Sequence, residues 1–259
     1  MAKKPVNIPA YRLSKDQKIY FASDFHLGAP DKESSLAREL KIVRWLDQIA
    51  ENASAIFLVG DIFDFWFEYK HTVPKGFVRF QGKLAELRDR NIPIYFFTGN
   101  HDLWMFNYFP EELGIPVYHQ PLSFNINDRR VFVGHGDGLG KGDHVYKFLK
   151  TLFTNPLCQW LFSWLHPNIG MGVAQYWSNK SRLSCEDDEP KGISEPLFQY
   201  CKEVEENTHH DLYIFGHRHL PMSLEVTDNS TYFSLGEWIN HFSYLEIDEK
   251  NANLKTFDG

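Results

Sequence analysis

The chain of 259 residues is 43% hydrophobic, which suffices to bury the core of one large α/β domain or two small ones and excludes disordered and fibrous classes. Its formal net charge of −7 argues against a general nucleic-acid-binding protein, because phosphate contacts require a basic face. The three cysteines follow no CxxC spacing, which indicates a reducing compartment and no disulfide framework.

The first hundred residues alternate between strand-like and helical patterns. Residues 33–51 carry apolar side chains at helical spacing, with Asp31 as a candidate N-cap, and residues 74–90 show the same periodicity. This β-α-β-α-β order predicts a largely parallel sheet covered by helices. The three predicted strands are 19–22, 56–59 and 94–97.

Beyond Gly114 the pattern becomes typical of hairpins. Asn127-Asp128 separates two strand-like runs, and Asp228-Asn229 separates two more. A further run at 243–247 is predicted to add a strand to the same part of the fold. We therefore expect a second, more antiparallel sheet that packs face to face with the first. The runs around the two turns are 122–126, 130–133, 223–226 and 231–234.

An apolar helical segment interrupts this second sheet at 140–206. It is too rich in leucine and aromatic residues for a solvated loop, and Pro156 and Pro167 break it into separate helices. Between positions 140 and 182 it carries five basic residues against one acidic residue, although the chain as a whole is acidic. We predict a helical cap at 140–206, inserted within a single domain that spans residues 1–259.

Five short motifs follow strand-like runs, and each contains a residue type that binds metal ions. A single histidine at a strand end is more often structural, but 5 of the 12 histidines occur in these motifs together with Asp and Asn. Strand ends meet at one edge of a sheet, so the side chains can converge. The motifs are Asp24-Phe25-His26, Gly60-Asp61-Ile62-Phe63-Asp64, Gly99-Asn100-His101-Asp102, Gly134-His135 and Gly216-His217-Arg218-His219.

Imidazole, carboxylate and amide oxygen together suit borderline divalent metals, and a two-metal site needs one carboxylate that bridges. Two such ions lower the pKa of a shared water and neutralise the oxygens of a phosphate ester. We expect two ions, Mn²⁺ in the first place, with Fe²⁺ or Zn²⁺ as alternatives. The candidate ligands are Asp24, His26, Asp61, Asn100, His135, His217 and His219.

The leaving oxygen of a phosphate ester needs a proton or a positive charge. His101, next to the candidate ligand Asn100, is the expected catalytic group, and we expect Asp102 to orient its imidazole. Asp64 is expected to support a histidine or the loop rather than to bind metal.

The five motifs resemble the full signature of the calcineurin-like metallophosphoesterases, over residues 20 to about 235. The resemblance implies a four-layer α/β/β/α sandwich of two mixed sheets, here with a helical cap insertion. It also implies that Asp61 bridges the two metals. One metal would be held by Asp24, His26, Asp61 and His219, and the other by Asp61, Asn100, His135 and His217.

Within that superfamily the chain resembles the bacterial UDP-2,3-diacylglucosamine diphosphatases. The resemblance rests on four stretches: the first motif extended to Gly28, the second motif extended to Trp66, and residues 135–139 and 235–238. The resemblance implies hydrolysis of UDP-2,3-diacylglucosamine to UMP and 2,3-diacylglucosamine 1-phosphate in lipid A biosynthesis. One departure is His101, where those enzymes usually have Arg. The substrate-binding candidates are Asp143 and Tyr146, which match positions of the family's cleft, and the basic residues Lys180 and Arg182.

The aromatic, basic cap is suited to acyl chains and anionic groups, and the alternative is an apolar helix pair that simply packs on the sheet. The expected partners are therefore a lipid-linked nucleotide and a membrane surface, with no nucleic acid, and no feature predicts the oligomeric state. The N-terminus has no apolar core after its lysines, and no run approaches the ~18 apolar residues of a spanning helix. We expect a cytoplasmic protein, peripheral on the inner face of the cytoplasmic membrane.

Two other functions are compatible with the same fold. A metallophosphoesterase for a soluble nucleotide or phosphodiester would need an open polar cleft rather than an apolar cap. A non-catalytic binding module on this fold is disfavoured, because such modules tend to lose the catalytic histidine, whereas His101 is present with every candidate ligand.

Overall fold

Two mixed β-sheets packed face to face form the centre of the computed structural model, which describes residues 7–142, 144–172 and 192–259. The first sheet has the strand order β11-β10-β1-β2-β3-β4. Strands β1 to β4 run parallel, as the alternation of strands and helices predicts. These strands are β1 (Lys18–Ala22), β2 (Ala53–Val59), β3 (Ile94–Phe97), β4 (Val117–Tyr118), β10 (Ser243–Ile247) and β11 (Ala252–Thr256).

The second sheet has the order β5-β6-β7-β9-β8 and contains both predicted hairpins. Asn127 has a φ of 54° in the first hairpin turn, a left-handed conformation that Asn tolerates better than most residues. Strand β7 pairs in parallel with both neighbours, so the sheet is mixed. Its strands are β5 (Leu122–Ile126), β6 (Arg129–Gly134), β7 (Leu212–Phe215), β8 (Pro221–Thr227) and β9 (Ser230–Leu235).

Helices cover the outer faces of both sheets. Asp31 caps α1 as predicted, because its carboxylate accepts hydrogen bonds from the amides of Glu33 and Ser34 at 2.9 Å each. Helix α2 begins four residues later than predicted. The residue that precedes it, Phe77, has a left-handed backbone conformation. The helices are α1 (Lys32–Ile49), α2 (Val78–Asp89), α3 (Tyr108–Glu112), α4 (His144–Thr154), α5 (Pro156–Ser163) and α6 (Pro196–Glu205), with a short 3₁₀ helix at Gly192–Ser194.

The strand alternation of the first sheet divides its side chains between two cores. In β2, Ile56 and Leu58 belong to the core beneath α1 and α2. Phe57 and Val59, from the same strand, belong to the core between the two sheets. Such strands are apolar at every position because both faces are buried.

Helix α6 covers the outer face of the second sheet, where Leu197, Phe198 and Cys201 pack on Tyr213 and Tyr232. This third core completes the four layers and confirms the predicted α/β/β/α sandwich. Within the described part of the chain, no helix combines the length and the apolar character that crossing a bilayer requires.

One strand lies elsewhere than predicted. We expected 243–247 to join the second sheet, but β10 pairs antiparallel with β1 in the first sheet. Strand β1 is buried on both faces and would otherwise leave its main-chain groups unpaired along one edge, so a returning strand of five buried residues completes it.

The start of α2 provides a test of the packing between the first two helices. The N-cap residue Phe77 offers no side-chain cap, and instead Glu39 of α1 accepts hydrogen bonds from the amides of Arg79 and Phe80 at 2.9 and 3.0 Å. Glu39→Ala should lower the free energy of unfolding by about 1–2 kcal/mol, because it leaves two helix-start amides without acceptors.

Urea denaturation measures this loss, and Glu51→Ala on an exposed position is the matched control, expected within about 0.5 kcal/mol of the parent protein. An unchanged midpoint for Glu39→Ala would contradict the capping role.

Candidate metal centre

The loops that follow β1, β2, β3, β6 and β7 bring all five motifs to one edge of the sandwich. Five of the predicted ligands have backbones in the left-handed region, which costs free energy for residues other than glycine. Such strain persists only where the surrounding structure enforces it, and it is common at functional sites. The residues are Asp24 (φ 55°), His26 (φ 43°), Asp61 (φ 52°), His217 (φ 69°) and His219 (φ 56°).

Four side chains form the first group of possible ligands. The ligand-type atoms of Asp24, His26, Asp61 and His219 all lie within 4.8 Å of one another. His219 Nε2 is 3.3 Å from Asp24 Oδ1 and 3.2 Å from His26 Nε2. This matches the first ligand set that the sequence suggested, although the assignment of metal to it remains a prediction.

The second group comprises Asn100, His135 and His217, beside the same Asp61. His217 Nδ1 lies 3.1 Å from Asn100 Oδ1, and His135 Nε2 lies 3.4 Å from Asp61 Oδ2. Asp61 Oδ2 is also 3.9 Å from His26 Nε2 in the first group. One carboxylate oxygen therefore lies between the two groups, as a bridging ligand requires.

The residues fit divalent cations on the chemistry of the donors. Asp24 Oδ1 and His135 Nε2 are buried and have no hydrogen-bond partner, which is costly unless they bind a ligand. Gly99 permits close approach, because a Cβ there would lie 2.2 Å from Asp61 Oδ1. At Gly216 a Cβ would lie 2.6 Å from Asp24 Oδ2. Both glycines keep open the space in which the two carboxylates sit.

Main-chain groups orient the candidate ligands. His135 Nδ1 donates to the Val59 carbonyl at 2.9 Å, so Nε2 is the nitrogen that faces Asp61. The amide of His217 donates to Asp24 Oδ2 at 3.0 Å, and that of His101 donates to Asp61 Oδ1 at 2.9 Å. Each carboxylate thus has one oxygen fixed by the backbone.

The electrostatics of the cluster favour a cation. Burial and the nearby His135 lower the pKa of His217 to about 4, which keeps the ring in the neutral form that binds metal. Burial acts to raise the pKa of Asp61, but the surrounding imidazoles hold that pKa well below its usual value. The charged carboxylate therefore persists in the interior and attracts positive charge.

His101 is oriented differently from the prediction. Its Nδ1 donates to the Asp64 carbonyl at 3.0 Å and lies 3.8 Å from the Asp64 carboxylate. The Asp102 carboxylate instead accepts the amides of Gly99 and Ile62 at 2.7 and 2.8 Å. Asp102 therefore holds two ligand loops together, and the expectation that it orients the imidazole was wrong.

Burial, followed by the charge of Asp61, raises the pKa of Asp102 to about 7. The Asp64 carboxylate lies 3.7 Å from His26 Nδ1, and its supporting role remains a prediction.

Of the substrate-binding candidates, only Tyr146 lies within the described residues. Its hydroxyl donates to the buried carboxylate of Asp137, which Lys150 also contacts at 2.6 Å. Helix α4 is thereby attached two residues from the candidate ligand His135. Asp143, Lys180 and Arg182 lie outside the described residues.

Sequence reasoning missed one buried cation that supports the site. Arg38 of α1 donates to the carbonyls of Phe25 and His26 at 2.7 and 2.6 Å and so fixes the loop that carries two candidate ligands. No local motif identifies Arg38, because its partners are main-chain carbonyls brought close by the packing of α1. Asp137 lies in the stretch 135–139 that carries part of the family resemblance, but its partners Tyr146 and Lys150 lie on α4.

Comparison with known proteins shows similarity over most of the chain. The sequence model described as calcineurin-like phosphoesterase matches residues 17–221. A protein named UDP-2,3-diacylglucosamine hydrolase from Porphyromonas gingivalis is 36% identical over 93% of this chain and 98% of its own length. One of the same name from Yersinia pseudotuberculosis is 26% identical over 92% of this chain and 98% of its own.

Among solved structures, a predicted phosphoesterase from Streptococcus pneumoniae has a TM-score of 0.40 and 15% identity, over 93% of this chain and 90% of that chain.

The bridging position of Asp61 leads to a prediction. Asp61→Asn should reduce bound Mn²⁺ below two ions per chain. It should also lower turnover of a chromogenic phosphodiester by more than the ~10–100-fold loss that follows replacement of a residue that contacts only a metal ligand. Metal analysis after dialysis measures the first effect. Asp128→Asn, in an exposed hairpin turn, is the matched control. Two tightly bound ions in Asp61→Asn would contradict the bridge.

Proposed function

Because the chain belongs to the calcineurin-like phosphoesterase family, we propose that it hydrolyses the pyrophosphate bond of UDP-2,3-diacylglucosamine in lipid A biosynthesis. As a member of that family, it is a metal-dependent hydrolase. The observation that carries the specific substrate is the Porphyromonas gingivalis relative, whose similarity extends over 93% of the chain and is not restricted to the metal motifs. The products would be UMP and 2,3-diacylglucosamine 1-phosphate.

The candidate ligands divide into two sets around Asp61. Asp24, His26, Asp61 and His219 would hold one divalent ion, and Asn100, His135 and His217 would hold the other together with Asp61. We propose Mn²⁺ for both. When bound, such ions supply hydroxide near neutral pH and neutralise the oxygens of the phosphate. In the reaction an oxygen of water bonds to phosphorus, and the bond from that phosphorus to the bridging oxygen breaks.

His101 is the proposed group for the leaving oxygen, which takes the electron pair of the broken bond. The ring is held at Nδ1 by the Asp64 carbonyl and lies 4.9 Å from the His26 ring, centroid to centroid. An imidazolium fixed in this way donates through Nε2. The Asp64 carboxylate, 3.8 Å from Nδ1, would stabilise the charged ring before it protonates the leaving oxygen.

The exposed side chains of α4 and α5 support an acylated substrate. An ordinary pair of apolar helices would bury its large side chains against the sheet, yet Phe148 is 70% exposed and Trp164, at the end of α5, is 75% exposed. The exposed apolar residues of this surface are Val145, Phe148, Leu152, Leu157, Trp160, Leu161 and Trp164. We call it the cap surface.

Not every apolar residue of these helices belongs to the cap surface. Phe153 packs edge-on against Trp104, and Phe162 lies 4.7 Å from Phe67, ring centroid to ring centroid. These two rings attach the cap to the sandwich and are half-buried, so they are not assigned to acyl chains. The cap surface would meet the acyl chains of the substrate and the inner face of the cytoplasmic membrane that holds them.

The first prediction of this proposal concerns His101. His101→Ala should keep the Mn²⁺ content and lose on the order of 10²–10⁴ in kcat, because a proton donor is removed while every candidate ligand remains. His101→Arg should retain more activity than His101→Ala, since it keeps a cation beside the phosphate. Loss of metal from His101→Ala would instead make His101 a ligand.

The second prediction concerns the acyl chains. Phe148→Ser combined with Trp160→Ser should lower kcat/KM for UDP-2,3-diacylglucosamine by at least about tenfold, because burial of each ring contributes on the order of 1.5–3 kcal/mol. Hydrolysis of a small chromogenic diester should be unchanged. Val78→Ser, on an exposed apolar residue of α2, is the matched control for both substrates.

Equal wild-type efficiency on UDP-glucosamine without acyl chains would reject the lipid substrate and favour a soluble nucleotide.

A further inference from the structure

Helix α4 presents two chemically different faces. Its apolar face belongs to the cap surface and repeats at i, i+3 and i+7, with Val145, Phe148 and Leu152. Its polar face has the same helical spacing and lines a groove on the other side of the helix. The residues of the polar face are Lys147, Lys150, Thr151 and Thr154.

The groove has a volume of about 520 Å³, which is within the usual size of small-molecule sites. Opposite α4 it is lined by segments of the sandwich, and Gln159 of α5 closes one side. The residues opposite α4 are Leu103, Phe106, His119 and Gln120.

The groove begins beside the second group of candidate metal ligands. His119 Nδ1 lies 3.3 Å from the hydroxyl of Thr98, two residues before Asn100. Lys150 Nζ lies 2.6 Å from Asp137 Oδ2, two residues after His135. Both contacts attach a wall of the groove to a segment that carries a candidate ligand. A phosphate at the metals could therefore continue into the groove.

The charges of the groove suit an anion. Among the described residues that line it, the charged side chains are Lys147 and Lys150, and no carboxylate is included. Lys150 forms an ion pair with the buried carboxylate of Asp137, whereas Lys147 donates to the uncharged carbonyl of Gly140. The positive charge of Lys147 is therefore not cancelled by the partner it contacts, and it attracts a phosphate.

The remaining walls combine apolar and amide groups. Phe106 is half-buried, and together with Leu103 it offers an apolar surface on which a planar base can stack. The amide of the exposed Gln120 has one donor and one acceptor side, which complements the adjacent O4 and N3–H of uracil. Gln159 donates its Nε2 to the Phe153 carbonyl at 3.0 Å, so its oxygen can accept from a ribose hydroxyl.

We propose that this groove binds the uridine half of the substrate, with uracil against Phe106 and Gln120 and the ribose near Gln159. Helix α4 then separates the nucleotide on its polar face from the acyl chains on its apolar face, and the scissile phosphates lie at its attachment to the metal centre. This assignment rests on the proposed function, because that function supplies the uridine.

The experiment measures binding of UMP and of inorganic phosphate to the full-length, Mn²⁺-loaded protein by calorimetry. Phe106→Ala should weaken UMP binding by about tenfold through lost stacking, and Gln120→Ala by about two- to tenfold through a lost hydrogen bond. Phosphate binding should not change in either variant. Gln48→Ala, on an exposed position of α1, is the matched control.

Phe106 is half-buried, so the more conservative variant Phe106→Leu and the thermal midpoint of each variant check that the protein still folds. Gln120 is exposed, so Gln120→Ala tests the groove independently. Unchanged UMP binding in both variants, or equal wild-type affinity for UMP and phosphate, overturns the groove assignment.

The two proposals fail separately. Hydrolysis of the acylated sugar nucleotide with unaltered UMP binding in the variants overturns only the groove. Absence of that hydrolysis overturns the proposed substrate, whatever the affinity for UMP.

Discussion

The Asp61 carboxylate is the contact on which the arrangement of the site depends. It follows β2 of the first sheet, and its Oδ2 lies 3.4 Å from His135, which follows β6 of the second sheet. Its Oδ1 accepts the His101 amide, so the carboxylate cannot rotate freely. The space it occupies exists because Gly99 has no side chain. The two sheets must therefore pack in one register for the two groups of candidate ligands to meet.

A buried carboxylate of this kind is unfavourable without a positive partner, and the fold supplies the means to keep it in place. Asp102 accepts amides from the loops after β2 and β3, and Arg38 donates to two carbonyls of the loop after β1. These contacts hold Asp24, His26 and Asp61 in left-handed conformations that none of them would favour alone. The packing of the cores therefore maintains a strained backbone at this edge of the sandwich, where the buried carboxylates favour cations.

The cap has the opposite character, because much of its apolar surface is not buried. Helices α4 and α5 are attached by Phe153 and Phe162 and by the contact of Lys150 with Asp137, whereas the apolar side chains of the cap surface are exposed. An amphipathic helix that is attached next to the candidate metal centre can present an apolar side to lipid and a polar side to a nucleotide. A substrate with both parts would then be oriented by α4 before its phosphates reach the site.

The sequence by itself determined the elements whose causes are local: the buried strands, both hairpin turns, the Asp31 cap of α1, and the residue types collected at strand ends. These depend on alternation, turn chemistry and capping within a few residues. Only the tertiary structure decided that β10 completes the first sheet, that Asp64 and not Asp102 lies against His101, and that Arg38 supports the first ligand loop. Such contacts join residues distant along the chain, and the direction of each side chain depends on the backbone of its loop. Local patterns therefore predict which groups are present, whereas packing determines which of them meet.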